Sequence, residues 1–79
     1  MSDIRFFAAV AEAAGTETTT VDVASIGELR TFLSDRHGAE FAKILSRCSL
    51  LVNGTRAADD AVPLAGTDTV DVLPPFAGG

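Results

Sequence analysis

The last six residues, Pro74-Pro75-Phe76-Ala77-Gly78-Gly79, are the stretch of this chain best suited to doing chemistry. Each proline fixes its own φ, and Pro74 also pushes Leu73 towards an extended backbone, so the chain is expected to leave its folded body stiffly. Gly78 and Gly79 carry no side chain, so a partner's tunnel can close around the backbone while the final carboxylate advances to a buried reaction centre. Six residues reach at most roughly 20 Å, enough to cross the wall of an enzyme pocket. The terminal carboxylate of Gly79 is therefore read as the reacting group, with Gly78 beside it. The competing reading is a frayed end. With glycine at about 7% of residues, a double-glycine end arises by chance in about 0.5% of chains, so the rest of the sequence has to decide.

The other reactive side chains read as structural. Cys48 falls on the apolar stripe of a predicted helix and is expected to be a small buried hydrophobe, since a reactive thiol needs an electropositive, partly exposed setting. His37 stands at the end of another predicted helix, where a solvent-facing imidazole beside the last carbonyls is the ordinary reading. Asp59 and Asp60 are adjacent carboxylates in a polar stretch, read as a solvated turn. Neither G-x-x-x-x-G-K-[ST] nor G-x-G-x-x-G occurs, so the chain is not expected to bind ATP, and no cofactor or metal is expected on it.

The body that must hold the tail is small. A chain of 79 residues, 47% hydrophobic and 22% charged, makes one globular domain near the lower size limit of a single core. A formal charge of −5, with six basic residues scattered from Arg5 to Arg56, argues against nucleic acid and suits a basic partner surface. One cysteine excludes an internal disulfide. No basic stretch leading into an apolar run opens the sequence and no apolar run is long enough to cross a bilayer, so a cytoplasmic location is expected.

Alternation of Ile4 and Phe6 with Arg5 and Phe7 predicts a first strand, and the alanine-rich Ala8 to Ala14 a helical turn stopped by Gly15. Thr18 to Val23 predicts a second strand, with Val21 and Val23 on one face. Ser25 and Glu28 have capping-box spacing, and Ile26, Leu29, Phe32 and Leu33 supply the apolar stripe of a helix ending at Gly38. Phe41, Ile44, Leu45 and Cys48 repeat the pattern in a shorter helix. Leu50 to Val52 predicts a strand running into an Asn53-Gly54 turn, and Thr55 to Asp60 a loop. Val62 and Leu64 return to the core, and Val70 and Val72 mark a last strand that feeds the tail.

This order implies an α+β fold of β-grasp type, a mixed sheet with helices on one face and the last strand central and parallel to the first. Residues 1–73 form the domain and residues 74–79 an extended flexible tail. Phe7, Leu51 and Leu73 are expected on the strand face opposite the core. With Phe76 they would make an apolar docking patch leading to Gly79, and Pro74, Pro75 and Ala77 complete the expected partner-binding set.

The closing residues Pro63-Leu64, Asp68, Val70, Leu73-Pro74-Pro75, Phe76 and Gly78-Gly79 resemble the signature of the MoaD/ThiS-type ubiquitin-like sulfur carriers. The opening Ile4-Arg5-Phe6-Phe7-Ala8 and the turn Val52-Asn53-Gly54 resemble the molybdopterin synthase small subunit within that family. Gly66 stands two places before Asp68, with Thr67 between, where the family usually has glycine directly before the aspartate. The resemblance implies that a ubiquitin-activating-type adenylyltransferase spends ATP to adenylate Gly79, and that a sulfur donor converts it to a thiocarboxylate. It also implies a large molybdopterin synthase subunit as partner, in a heterotetramer. This chain would be the sulfur-donating subunit rather than an enzyme by itself. Carriers for thiamine thiazole, cysteine or another sulfur metabolite share much of the tail. A ubiquitin-like modifier joined through Gly79 to a target lysine, and a plain interaction domain, are the readings of other classes.

Overall fold

The structure is a computed structural model, and residues 1–75 are described. Among the described residues five strands and three helices follow one another as β1 (Ser2–Phe6), α1 (Ala9–Ala14), β2 (Thr18–Val21), α2 (Ile26–His37), α3 (Ala39–Arg47), β3 (Ser49–Val52), β4 (Thr55–Arg56) and β5 (Thr69–Leu73). The strands form one mixed sheet in the order β2-β1-β5-β3-β4. β5 lies at its centre, parallel to β1 and antiparallel to β3, while β2 and β4 pair antiparallel at the edges. This is the β-grasp arrangement.

Alternation decides which face is buried. Ile4, Phe6, Leu50, Val70 and Val72 point into a core completed by Val10, Val21, Ile26, Leu29, Leu33, Phe41, Leu45, Cys48 and Leu64. Arg5, Asp71 and Leu51, which lie opposite one another in register, take the other face.

Several sequence expectations change in detail. β2 stops at Val21, and Val23 packs against the core from the connection that follows. The Ser25 hydroxyl accepts from the Glu28 amide at 3.2 Å, as the capping box requires, but the Glu28 carboxylate reaches back to the amide of Ala24, at 3.3 Å, rather than to that of Ser25. Thr55 and Arg56, expected in a loop, form the short edge strand β4. Its turn has φ 51° at Asn53 and 87° at Gly54, the two left-handed residues a tight hairpin needs. Phe32 is 37% exposed rather than core, while His37, expected in solvent, is half-buried with its ring 4.7 Å from Phe41 and 6.3 Å from Phe6. Both reassignments follow from helical phase. At about 100° per residue Phe32 falls roughly 60° outside the arc spanned by Ile26, Leu29 and Leu33, whereas His37 falls within about 20° of Ile26.

The Gly66 spacing also has a structural reason. A Cβ on Gly66 would sit 3.2 Å from the Met1 nitrogen, so this position serves the close approach of the chain's start to the turn. Asp68 closes the turn instead. Its carboxylate accepts from the Ala65 amide and from the Asn53 side-chain amide, each at 2.8 Å, and the Asn53 side-chain oxygen accepts from the Thr69 amide at 2.9 Å. Those bonds, the Ala65 amide first, hold the Asp68 carboxyl below its ordinary pKa.

Candidate functional site: the base of the tail and the open sheet face

The tail departs from the best-held strand of the sheet. β5 is bonded on both sides, and the Phe7 amide donates to the Val72 carbonyl at 3.2 Å, extending the parallel pairing beyond β1. Val70 and Val72 are fully buried, Leu73 is half-buried opposite Ser49, and Pro74 is buried where the strand ends. Pro75 is exposed. Pro74 and Pro75 thus mark a fixed exit, because a central strand cannot swing without breaking both ladders. Phe76, Ala77, Gly78 and Gly79, the rest of the sequence-derived site, lie outside the described residues.

Phe7, Leu51 and Leu73 do share the face opposite the core, but they do not form an unbroken apolar patch. Phe7, just past β1, is 37% exposed and runs beside Leu73, whereas Leu51 lies one row away, opposite Asp71. In the same row as Leu51 stands an ion pair that sequence reading missed. Arg5 Nε donates to Asp71 Oδ1 at 2.6 Å and its Nη2 to Oδ2 at 2.9 Å, a two-point contact that pushes the Arg5 pKa up. The Arg5 guanidinium carbon also lies 5.7 Å from the centre of the Phe7 ring, within cation–π range. The signal was in the alternation: Arg5 and Asp71 are the outward residues of two strands expected to be parallel neighbours. The face therefore presents Phe7 and Leu73 at the tail's root, then a paired cation and anion, then Leu51, with the exposed Arg56 at the edge.

The remaining reactive groups are accounted for by packing and turns. Cys48 is buried, its thiol donates to the Ile44 carbonyl at 3.1 Å, and burial pushes its pKa up against a smaller opposing pull from the Arg30 charge. A thiol held neutral in this way is a poor nucleophile. Asp59 Oδ1 accepts from the Ala61 amide, and Asp60 pairs with Arg30 at 2.9 Å. Among the described residues no group of three or more His, Cys, Asp or Glu is placed to hold a metal ion.

On the helical side of the exit, Pro74 and Pro75 share a groove of about 360 Å³ with Ala9 and Val10 of α1 and with Lys43, Ile44 and Arg47 of α3. Sequence reading did not connect these residues, because they converge only when α1 and α3 pack beside the end of β5.

The family model of ThiS matches residues 4–79, the opening strand through the double glycine. The chain belongs to the ThiS family. Solved structures agree. SAMP1 from Haloferax volcanii is 30% identical, with a TM-score of 0.81 over 99% of this chain and 98% of that one. Subunit 1 in the complex of subunits 1 and 2 of molybdopterin-converting factor from Helicobacter pylori 26695 is 25% identical, with a TM-score of 0.73 over 99% of this chain and 97% of that one. The small archaeal modifier protein 1 of Methanosarcina acetivorans, at 22% identity and a TM-score of 0.82 over 99% and 95% of the two chains, shares the fold. None of the curated proteins matches in sequence. This ThiS-family chain thus joins sulfur carriers and ubiquitin-like modifiers built on one scaffold.

Proposed function

We propose that this ThiS-family chain is a sulfur carrier acting as the small subunit of a molybdopterin synthase, with the Gly79 carboxylate as its reacting group. The observation that carries the reading is the family match running to the double glycine, on a chain whose tail leaves the central, doubly bonded strand. A carboxylate is a poor electrophile, so a ubiquitin-activating-type adenylyltransferase supplies ATP. The carboxylate oxygen bonds to the α-phosphorus, pyrophosphate leaves, and the resulting acyl-adenylate has AMP as its leaving group. Sulfide attacks the carbonyl carbon, AMP departs, and a thiocarboxylate remains. Where the donor is a persulfide, its terminal sulfur attacks and AMP leaves to give an acyl disulfide; a second thiol then attacks the donor's own sulfur, the S–S bond breaks, the two thiols end as a disulfide and the thiocarboxylate is released. The thiocarboxylate is a soft nucleophile that delivers sulfur to a pterin precursor inside the large subunit.

In this scheme the chain contributes position rather than catalysis. The root at Pro74 fixes where the tail starts, while Phe7, Leu73, Leu51 and the Arg5–Asp71 pair offer a mixed docking face around it. The complex of subunits 1 and 2 in the Helicobacter pylori relative supports a large-subunit partner, and a heterotetramer of two small and two large subunits is part of the proposal. No cofactor is assigned to this chain, and its proposed place is the cytoplasm. No helix among the described residues is long and apolar enough to cross a membrane.

The 30% identity to SAMP1 favours a second reading, a modifier whose Gly79 ends in an isopeptide bond to a lysine. A chain carrying a chemically installed terminal thiocarboxylate, mixed with the large subunit and the pterin precursor, distinguishes the two. Consumption of the thiocarboxylate with formation of a dithiolene product supports the carrier. An intact thiocarboxylate under these conditions, together with high-mass conjugates after addition of the activating partner and ATP, supports the modifier.

A further inference from the structure

Six basic residues serve a chain of net charge −5, and two of them are committed: Arg5 to Asp71 and Arg30 to Asp60. Lys43 and Arg47, four residues apart on α3 and so on one face of it, are in no ion pair among the described residues. Both are exposed, and both line the groove where the tail emerges. Its floor is apolar, made by the buried Val10 and Pro74 with the half-buried Ile44. A volume of about 360 Å³ is at the small end of the range for ligand-sized sites, and the opening is a surface groove rather than a sealed cavity. An apolar floor under two unpaired cations selects an apolar side chain flanked by carboxylates. Elsewhere the acidic surface favours a basic partner, so this local reversal of sign marks a particular contact rather than a general attraction.

We infer that the groove between α1 and α3 docks an acidic, apolar segment of the adenylating partner, with Lys43 and Arg47 as its recognition residues. This rests on the reading that the Gly79 carboxylate is activated by a partner. That partner is the natural occupant because carrier and modifier alike need activation first, and because Pro74 and Pro75 belong both to the groove and to the root of the tail the partner must engulf. Lys43 and Arg47 act on docking and registration of the tail, not on the reacting atoms.

The test is ATP–pyrophosphate exchange by the cognate adenylating partner, with the full chain as varied substrate. Lys43→Glu and Arg47→Glu should each raise KM for the chain at least about tenfold, the lower end of the coupling measured for close interfacial charge pairs, with kcat unchanged. Arg36→Glu, an equal charge change at the exposed end of α2, should move KM less than about threefold. Lys43→Arg should retain wild-type KM and its salt dependence. Thermal unfolding of each variant reports whether the fold is intact. An unchanged KM in folded Lys43→Glu and Arg47→Glu variants overturns the assignment, as does an equal rise for Arg36→Glu, which would show net charge alone at work. Absence of exchange with the wild-type chain overturns the activation reading itself, and the groove assignment with it.

Discussion

Single residues set the terms on which the tail is offered. Asp68 ties the β3–β4 turn to the start of β5 through bonds its carboxylate accepts, and its folded pKa lies below the unfolded value. The stabilisation is therefore present above the unfolded carboxyl pKa of about 3.9 and is lost as pH falls through the lower, folded pKa. Denaturant titrations from neutral to acid pH should show this loss in the wild type and a flatter acid limb in Asp68→Asn. Ala8, just before α1, has φ 52° and ψ −128°, a positive-φ backbone that an L side chain resists. Ala8→Gly should stabilise the chain by about 1 kcal/mol in the same titrations at neutral pH. Arg5→Ala should cost no more than about 1 kcal/mol of stability, because the Arg5 end of the pair is open to solvent although Asp71 is largely covered, yet weaken association with the proposed large subunit measured by calorimetry. How far the sequence can be read at this scale depends on neighbours. Cys48 and the Asp59-Asp60 turn were legible from their own segments. The Arg5–Asp71 pair needs β1 and β5 side by side, and the Lys43–Arg47 lip needs α1, α3 and the end of β5 together.

Among the elements, strong periodicity gave most of the inward faces, Phe32 of α2 excepted, and the two-residue β4 escaped it. Ile4 and Phe6, Val70 and Val72, and Phe41 and Leu45 all point inwards as their spacing implied. β4 escaped because two residues carry no alternation, and only its turn, Asn53-Gly54, announced it. That turn is also a stability test. Gly54 has φ 87° with open space around it, so Gly54→Val fails by backbone strain rather than by collision. It should cost about 1–2 kcal/mol in chemical denaturation. The Ser25 hydroxyl accepts from the Glu28 amide in the first turn of α2, and Ser25→Ala should cost about 1 kcal/mol by the same measurement. On the usual per-residue scale the whole domain has only about 4–12 kcal/mol, so either change is readily detected.

At the scale of the whole molecule, helices close one side of the sheet, and the tail starts from its middle strand beside two dissimilar surfaces. One is the mixed face of Phe7, Leu73, Leu51 and the Arg5–Asp71 pair. The other is the cationic groove between α1 and α3. The family was legible because its signature is local, Leu73-Pro74-Pro75 and Gly78-Gly79, whereas the proposed docking surfaces are assembled from distant segments. The central claim is that the body positions a tail whose last carboxylate is rewritten by another protein. Intact-mass measurement after incubation with the adenylating partner, ATP and a sulfur donor tests it most directly, comparing the full chain with one lacking Gly79. The expected result is replacement of one oxygen by sulfur on the full chain, located by fragmentation to Gly79, and no change on the shortened one at equal thermal stability. Sulfur found on Cys48, or an equal gain by the chain without Gly79, would contradict the claim.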